Sequence, residues 1–91
     1  MKETRLKKIF DLLSENQSYL TSEKIAQELN VSPKTVRNEI KVLDALLEKH
    51  GGHVDAKARY GYRFEVVDMD LFRDFLANHW AQYAYEEDSF Y

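Results

Sequence analysis

Apolar residues recur through the first half of the chain at helical spacing. Leu6, Ile9, Phe10 and Leu13 fall at i, i+3, i+4 and i+7, one stripe of an amphipathic helix over residues 3–15. Glu3 and Lys7 form a favourable i,i+4 pair on the other side, and Asn16-Gln17-Ser18 ends the helix. A second helix is predicted after Thr21 as N-cap, with Leu20 and Ile25 as a hydrophobic staple and Glu23 complementing the helix dipole. Ile25, Ala26 and Leu29 face inward. Asn30 stops this helix, since Asn tolerates the left-handed conformation that a helix end often needs. A third helix runs from Pro33 to about Lys49, with Val36, Ile40, Leu43 and Leu47 as its buried stripe and Gly51-Gly52 as its end.

The period then changes from helical to alternating. His53–Ala56 and Tyr62–Val66 read as two strands, with Val54, Ala56, Tyr62, Phe64 and Val66 on one face. Lys57–Gly61 connects them, and Gly61 supplies a positive φ for the turn or a bulge. Asp68 is the N-cap of a fourth helix, roughly 69–84, with a broad apolar stripe of Leu71, Phe72, Phe75, Leu76, Trp80 and Tyr83. Three helices followed by a hairpin make an α+β winged helix-turn-helix, a three-helix bundle plus a β-hairpin wing, with an additional C-terminal helix. Residues 1–67 are expected to form the winged domain, and 68–91 a linking or dimerisation helix and tail.

The sharpest local signal is the stretch ELNVSPKTVRNEI at 28–40. Ser32 is a natural N-cap, Pro33 falls at the first helical position where its missing N–H costs nothing, and Val31 and Val36 can staple the entry. A helix started at so fixed a point presents its first turn in one pose. That turn carries Lys34, Thr35, Arg37 and Asn38, side-chain types that bond phosphates and base edges. Arg37, Asn38 and Lys34 are the candidates for base edges, since Arg pairs with guanine and Asn with adenine. Ser32, Thr35 and Lys41 suit phosphates. Thr21 and Ser22 open the second helix and can offer backbone N–H groups to a phosphate. Lys57, Arg59 and Tyr60 form a cationic, aromatic wing tip suited to the backbone or minor groove. The plain alternative for each is a solvated helix face or a polar turn.

Composition changes this picture in one respect. The formal net charge of −3 conceals a split. Residues 1–63 hold 12 Lys/Arg against 9 Asp/Glu, and residues 64–91 hold one against 7. The basic excess covers the region that reads as a DNA binder. There is no cysteine, so no disulfide and no thiolate metal site. The N-terminus lacks the apolar run of a signal peptide and no segment approaches a membrane span, so a soluble, cytoplasmic protein is expected. No Ser, His and acid cluster and no Gly-rich phosphate loop suggests catalysis, so no enzyme is expected. His50-Gly-Gly-His53 superficially resembles a metal pair, but only His50 belongs to the helix and no third ligand is evident. No metal and no cofactor are expected.

Half of the twelve aromatic residues lie at or after Phe75. Packing against the hairpin and first helix is expected for Leu71, Phe72, Phe75 and Leu76. Trp80, Tyr83 and their neighbours, Phe75 among them, are the candidates for an interface with a second copy or a downstream domain.

Residues 4–66 resemble the N-terminal winged helix-turn-helix of bacterial transcription regulators that respond to the sugar phosphotransferase system, such as mannitol-operon activators and antiterminator-like regulators. The biotin-operon repressor and deoxyribonucleoside-type repressors carry a related module. The resemblance rests on Leu29, Val31-Ser32, Thr35-Val36, Glu39-Ile40 and Leu43, then Gly51 or Gly52, and Gly61-Tyr62-Arg63-Phe64. Asn30 stands where such modules often place glycine, and Pro33 follows the serine. The resemblance implies a domain that binds double-stranded DNA as a homodimer, and downstream regulatory domains absent from this chain. The competing reading is a winged-helix protein-interaction module without DNA binding, which an acidic, aromatic tail would suit.

Overall fold

In the computed structural model, which describes residues 2–86, each of the four longer helices begins at a side-chain cap. Helix α1 spans Arg5–Glu15, α2 Ser22–Leu29, α3 Pro33–Glu48 and α4 Met69–Asn78. Thr4 Oγ1 accepts from the Lys7 N–H at 3.2 Å, Thr21 Oγ1 from Lys24 at 3.1 Å, and Ser32 Oγ from Thr35 at 3.1 Å. The Asp68 carboxylate accepts from both Asp70 and Leu71. The Thr4 cap starts α1 two residues later than periodicity suggests. Asn30 closes α2 in the left-handed conformation, φ 57° and ψ 49°, which is why it can stand where glycine is common.

Strands β2 (Gly52–Lys57) and β3 (Gly61–Val66) pair antiparallel, with Val54 opposite Phe64 and Ala56 opposite Tyr62. Leu20, in the α1–α2 connection, adds a third, one-residue strand. Its N–H donates to the Tyr62 carbonyl at 2.8 Å, and the Tyr62 N–H donates back at 2.7 Å. Gly61 makes this approach possible. Its φ is +108°, and a Cβ there would run into the Leu20 carbonyl and come within 2.7 Å of Thr21 Cα. The wing is thereby fastened to the start of α2. The hairpin turn holds a second positive φ, at Arg59 (73°).

The core is one cluster. Leu6, Ile9, Phe10 and Leu13 meet Ile25 and Ala26, the predicted α3 stripe of Val36, Ile40, Leu43 and Leu47, and Val54 of the wing. The alternating hairpin face is buried in its middle and open at both ends: Val54 is buried, Tyr62 and Phe64 are partly covered, and Ala56 near the tip and Val66 at the base are exposed.

The C-terminal part departs from expectation. The fourth helix is not continuous to residue 84. It breaks at His79 (φ −128°), where the N–H groups of His79 and Trp80 both donate to the Phe75 carbonyl, and a short helix α5 follows at Ala81–Ala84. The break turns Trp80 inward. Its ring stands 5.0 Å from Phe10 and 5.6 Å from Phe75, in a cluster with Phe64 and Phe72. Phe75 is fully buried and Trp80 is 8% exposed, so these two candidates for an interface belong to the chain's own core. Leu71 and Leu76, expected to pack, are exposed instead. The stripe is wider than the face α4 buries, and only its middle, Phe72 and Phe75, goes in. Tyr83 is partly exposed. Strand β4 (Tyr85–Glu86) then pairs with β1 (Lys2–Glu3), and Thr4 bonds back through its N–H to the Ala84 carbonyl and through its hydroxyl to the Tyr83 carbonyl. Phe90 and Tyr91, counted above among the tail aromatics, lie outside the described residues. Among the described residues no helix is long and apolar enough to cross a membrane.

Candidate nucleic-acid interface

The cap and staple around Ser32 fix where α3 begins, and its buried stripe fixes which way it faces. Turning Val36, Ile40, Leu43 and Leu47 inward leaves Lys34, Arg37, Asn38 and Lys41 exposed on the outer face. These four side chains line one wall of an open groove of about 450 Å³, whose floor is Val54, Ala56 and Tyr62 of the wing. A second cleft, about 330 Å³, lies between the α2 N-terminus and the wing tip, lined by Thr21, Ser22, Lys57 and Arg59. Ala56 and Tyr62 border both. The structure thus brings the α3 cations, the α2 N-terminus and the wing cations around one pair of wing residues.

Charge pairing separates these cations from several others. Lys7 donates to Glu3 at 2.8 Å and to Asp11 at 2.6 Å, and those two carboxylates push its pKa up while Lys7 pulls that of Glu3 down. Lys24 faces Glu28, Arg5 faces Glu39, and Arg63 faces Glu65 at 2.9 Å. Among the described residues, by contrast, no carboxylate lies within 4 Å of Lys34, Arg37, Lys41, Lys57 or Arg59. A face of unpaired cations keeps its field for a polyanion.

The remaining candidates sort by how occupied they are. Ser32 Oγ is the cap and also bonds Thr35 Oγ1 at 2.9 Å, so the two hydroxyls share one hydrogen between them and leave one free. Thr21 Oγ1 accepts at its cap and keeps its own hydrogen to donate. Ser22 borders the cleft but is largely buried, and its hydroxyl donates to the Glu23 carboxylate at 3.4 Å. Tyr60 is exposed, with the Lys57 ammonium 4.6 Å from its ring centre. Arg63 is engaged twice, by Glu65 and by the Tyr19 ring 4.9 Å below its guanidinium.

Tyr19 is the residue that sequence reasoning missed. It lies in the α1–α2 connection and its hydroxyl donates to the Asp55 carboxylate on β2. That hydrogen bond, with some desolvation, holds its pKa above the ordinary tyrosine value. Its ring carries Arg63 on one side and lies 5.9 Å from Lys57. A lone tyrosine between a polar run and a cap gives no periodic signal, so only tertiary contact reveals its place against the wing.

A family model described as an HTH domain matches residues 5–63, from the first residue of α1 into β3. The chain is also 37% identical over 78 residues to a protein named the probable licABCH operon regulator of Bacillus subtilis strain 168. That match takes in 86% of this chain but only 12% of the relative's length. The matched span holds α1–α3 and most of the wing, so the chain belongs to the helix-turn-helix domain family, in its winged form.

Proposed function

We propose that this chain is the N-terminal DNA-reading domain of a bacterial transcription regulator of the class that responds to the sugar phosphotransferase system. Helix α3 enters the major groove, with Arg37, Asn38 and Lys34 at base edges and Ser32, Thr35 and Lys41 at phosphates. Lys57, Arg59 and Tyr60 of the wing lie on the adjacent backbone or minor groove. The α2 N-terminus takes a phosphate at Thr21 and Ser22. The observation that carries the reading is the set of unpaired cations gathered on two adjoining clefts. The relative's name, an operon regulator, supports it. The domain works as a dimer, reading half-sites about 10 bp apart or a multiple of that. The partly exposed Tyr83 is available to such an interface, whereas Phe75 and Trp80 are used within the chain.

Selection from a random double-stranded DNA library at low salt tests this. The expected result is enrichment of a palindromic site whose affinity falls about 5- to 150-fold on Arg37→Ala, the span of one bidentate base contact. Failure to enrich any sequence at low salt, or an Arg37→Ala variant that binds the enriched site like wild type, overturns it.

A further inference from the structure

Beyond the DNA-facing turns of α3, three side chains converge that neither the core nor the proposed DNA contacts use. Asp44 and Glu48 stand one helical turn apart on α3, so their carboxylates share a face. His53 of β2 rises beside them. Its Nδ1 lies 3.0 Å from Asp44 Oδ1 and 3.2 Å from Glu48 Oε1, and one ligand atom of each residue lies within 4.8 Å of the other two. The Val54 N–H donates to Asp44 Oδ1 at 2.8 Å, so the backbone of β2 fixes that carboxylate. Among the described residues no lysine or arginine pairs with either acid. Two carboxylates therefore crowd one ring nitrogen, which carries at most one hydrogen.

We propose that Asp44, Glu48 and His53 form a binding site for a divalent transition-metal ion of the zinc type. One imidazole nitrogen with two carboxylate oxygens is a borderline ligand set, which suits zinc, cobalt or nickel better than the all-oxygen sites that calcium and magnesium prefer. Ligands roughly 2.0–2.2 Å from a tetrahedral zinc stand about 3.3–3.6 Å from one another. The two spacings from His53 Nδ1 need to open by only a few tenths of an ångström, and the two carboxylate oxygens already lie within 4.8 Å of each other. Three protein ligands leave a fourth position for water or a phosphate oxygen. The three residues are half-buried to exposed, so an ion reaches them from solvent. Asp44 also lines the α3 groove beside Lys41. A bound ion would remove negative charge at the edge of the cationic face and so strengthen binding of a polyanion there.

The proposal departs from the expectation of no metal, which weighed His53 only with His50. The structure separates those two: His50 stacks on Phe75, with ring centres 4.4 Å apart, and the partners of His53 come from the last turns of α3. The metal site stands on its own ligands and is measured without DNA, so its failure is separable from failure of the DNA-binding reading.

The test is calorimetric titration of untagged, metal-free protein with zinc chloride, alongside thermal unfolding with and without zinc. One ion per chain is expected, with a raised unfolding midpoint. Glu48→Gln and His53→Gln should each weaken binding by about tenfold or more, whereas His79→Gln should not, since His79 stacks on His50 and pairs with Asp74 outside the cluster. Asp44→Asn also disturbs the Val54 contact, so the other two variants carry the decision. Absence of saturable 1:1 binding overturns the proposal, as does wild-type binding by His53→Gln or loss of binding in His79→Gln. Equal affinity for magnesium overturns the metal class.

Discussion

Gly61→Ala probes how the wing is held to the helices. Alanine at φ +108° is strained by about 1–3 kcal/mol whatever surrounds it. Here its Cβ also meets backbone, the Leu20 carbonyl and Thr21 Cα, which cannot swing aside as a side chain would. Relief requires the wing to move off Leu20, so the two hydrogen bonds between Leu20 and Tyr62 lengthen or break, at about 0.5–1.5 kcal/mol each. The total comes to about 2–6 kcal/mol. A domain of 91 residues has roughly 5–14 kcal/mol in all. The variant should therefore lose a large part of its stability, read as a lower urea midpoint by circular dichroism. The amides of Leu20 and Tyr62 should also exchange hydrogen faster than those of α3. Lys57 and Arg59 would no longer be held beside the α2 N-terminus, so DNA affinity should fall at temperatures where the helices remain folded. A stability loss below about 1 kcal/mol, with Leu20 and Tyr62 still protected, would refute the account of Gly61 as the wing's point of attachment.

Further outcomes follow from the same geometry. If each of the five unpaired cations on the two clefts neutralises one phosphate, log K should fall against log salt with a slope of about −4.5, and Lys57→Ala should reduce its magnitude by about 0.9 with little change in sequence preference; an unchanged slope removes Lys57 from the interface. Trp80→Ala should cost about 3–5 kcal/mol of stability and leave the oligomeric state of the folded protein unchanged, measured by chemical denaturation and sedimentation. Tyr19 should titrate above the ordinary tyrosine value and, by nuclear magnetic resonance, return toward about 10 in Asp55→Asn. Because the folded state favours the neutral phenol, its stabilising contribution is whole below the unfolded pKa. It is lost as pH rises through the higher folded value, so this contact should loosen in alkali.

Legibility in the sequence tracked how local each cause is. Caps and staples act within a few residues, so Thr21, Ser32, Asn30 and Asp68 could be placed before any tertiary contact was known, and all four occupy their expected positions. The α3 stripe was equally plain because one face of a 16-residue helix repeats its signal four times. The outward face followed from it, and with it the grouping of Lys34, Arg37, Asn38 and Lys41. What stayed hidden depends on partners distant in sequence. Tyr19 is defined by Asp55, the positive φ of Arg59 by the hairpin's closure, and the cluster at Asp44 by the register that sets His53 beside α3. The burial of Ser22 is of the same kind.

The aromatic C-terminal segment shows why apolar content alone misleads about partners. A winged helix ending at Val66 would leave the flank of Phe10 and Phe64, rings 5.2 Å apart, open to water. Phe72, Phe75 and Trp80 cover that flank from α4 and the turn after it. Periodicity cannot distinguish covering one's own core from covering a neighbour's, since both need the same stripe. The discriminating event is the break at His79, which shortens α4 and swings Trp80 back toward Phe10 instead of carrying it outward along a straight helix. From there the chain returns to Thr4, whose one side chain caps α1 and holds the Tyr83 carbonyl. Strands β1 and β4 are thus tied together beside α1, while α3 and the wing keep their cationic clefts open. Among the described residues, Asp68 caps α4 and no acid after residue 63 pairs with the cations of the two clefts, so a chain of net charge −3 can still carry a local cationic surface.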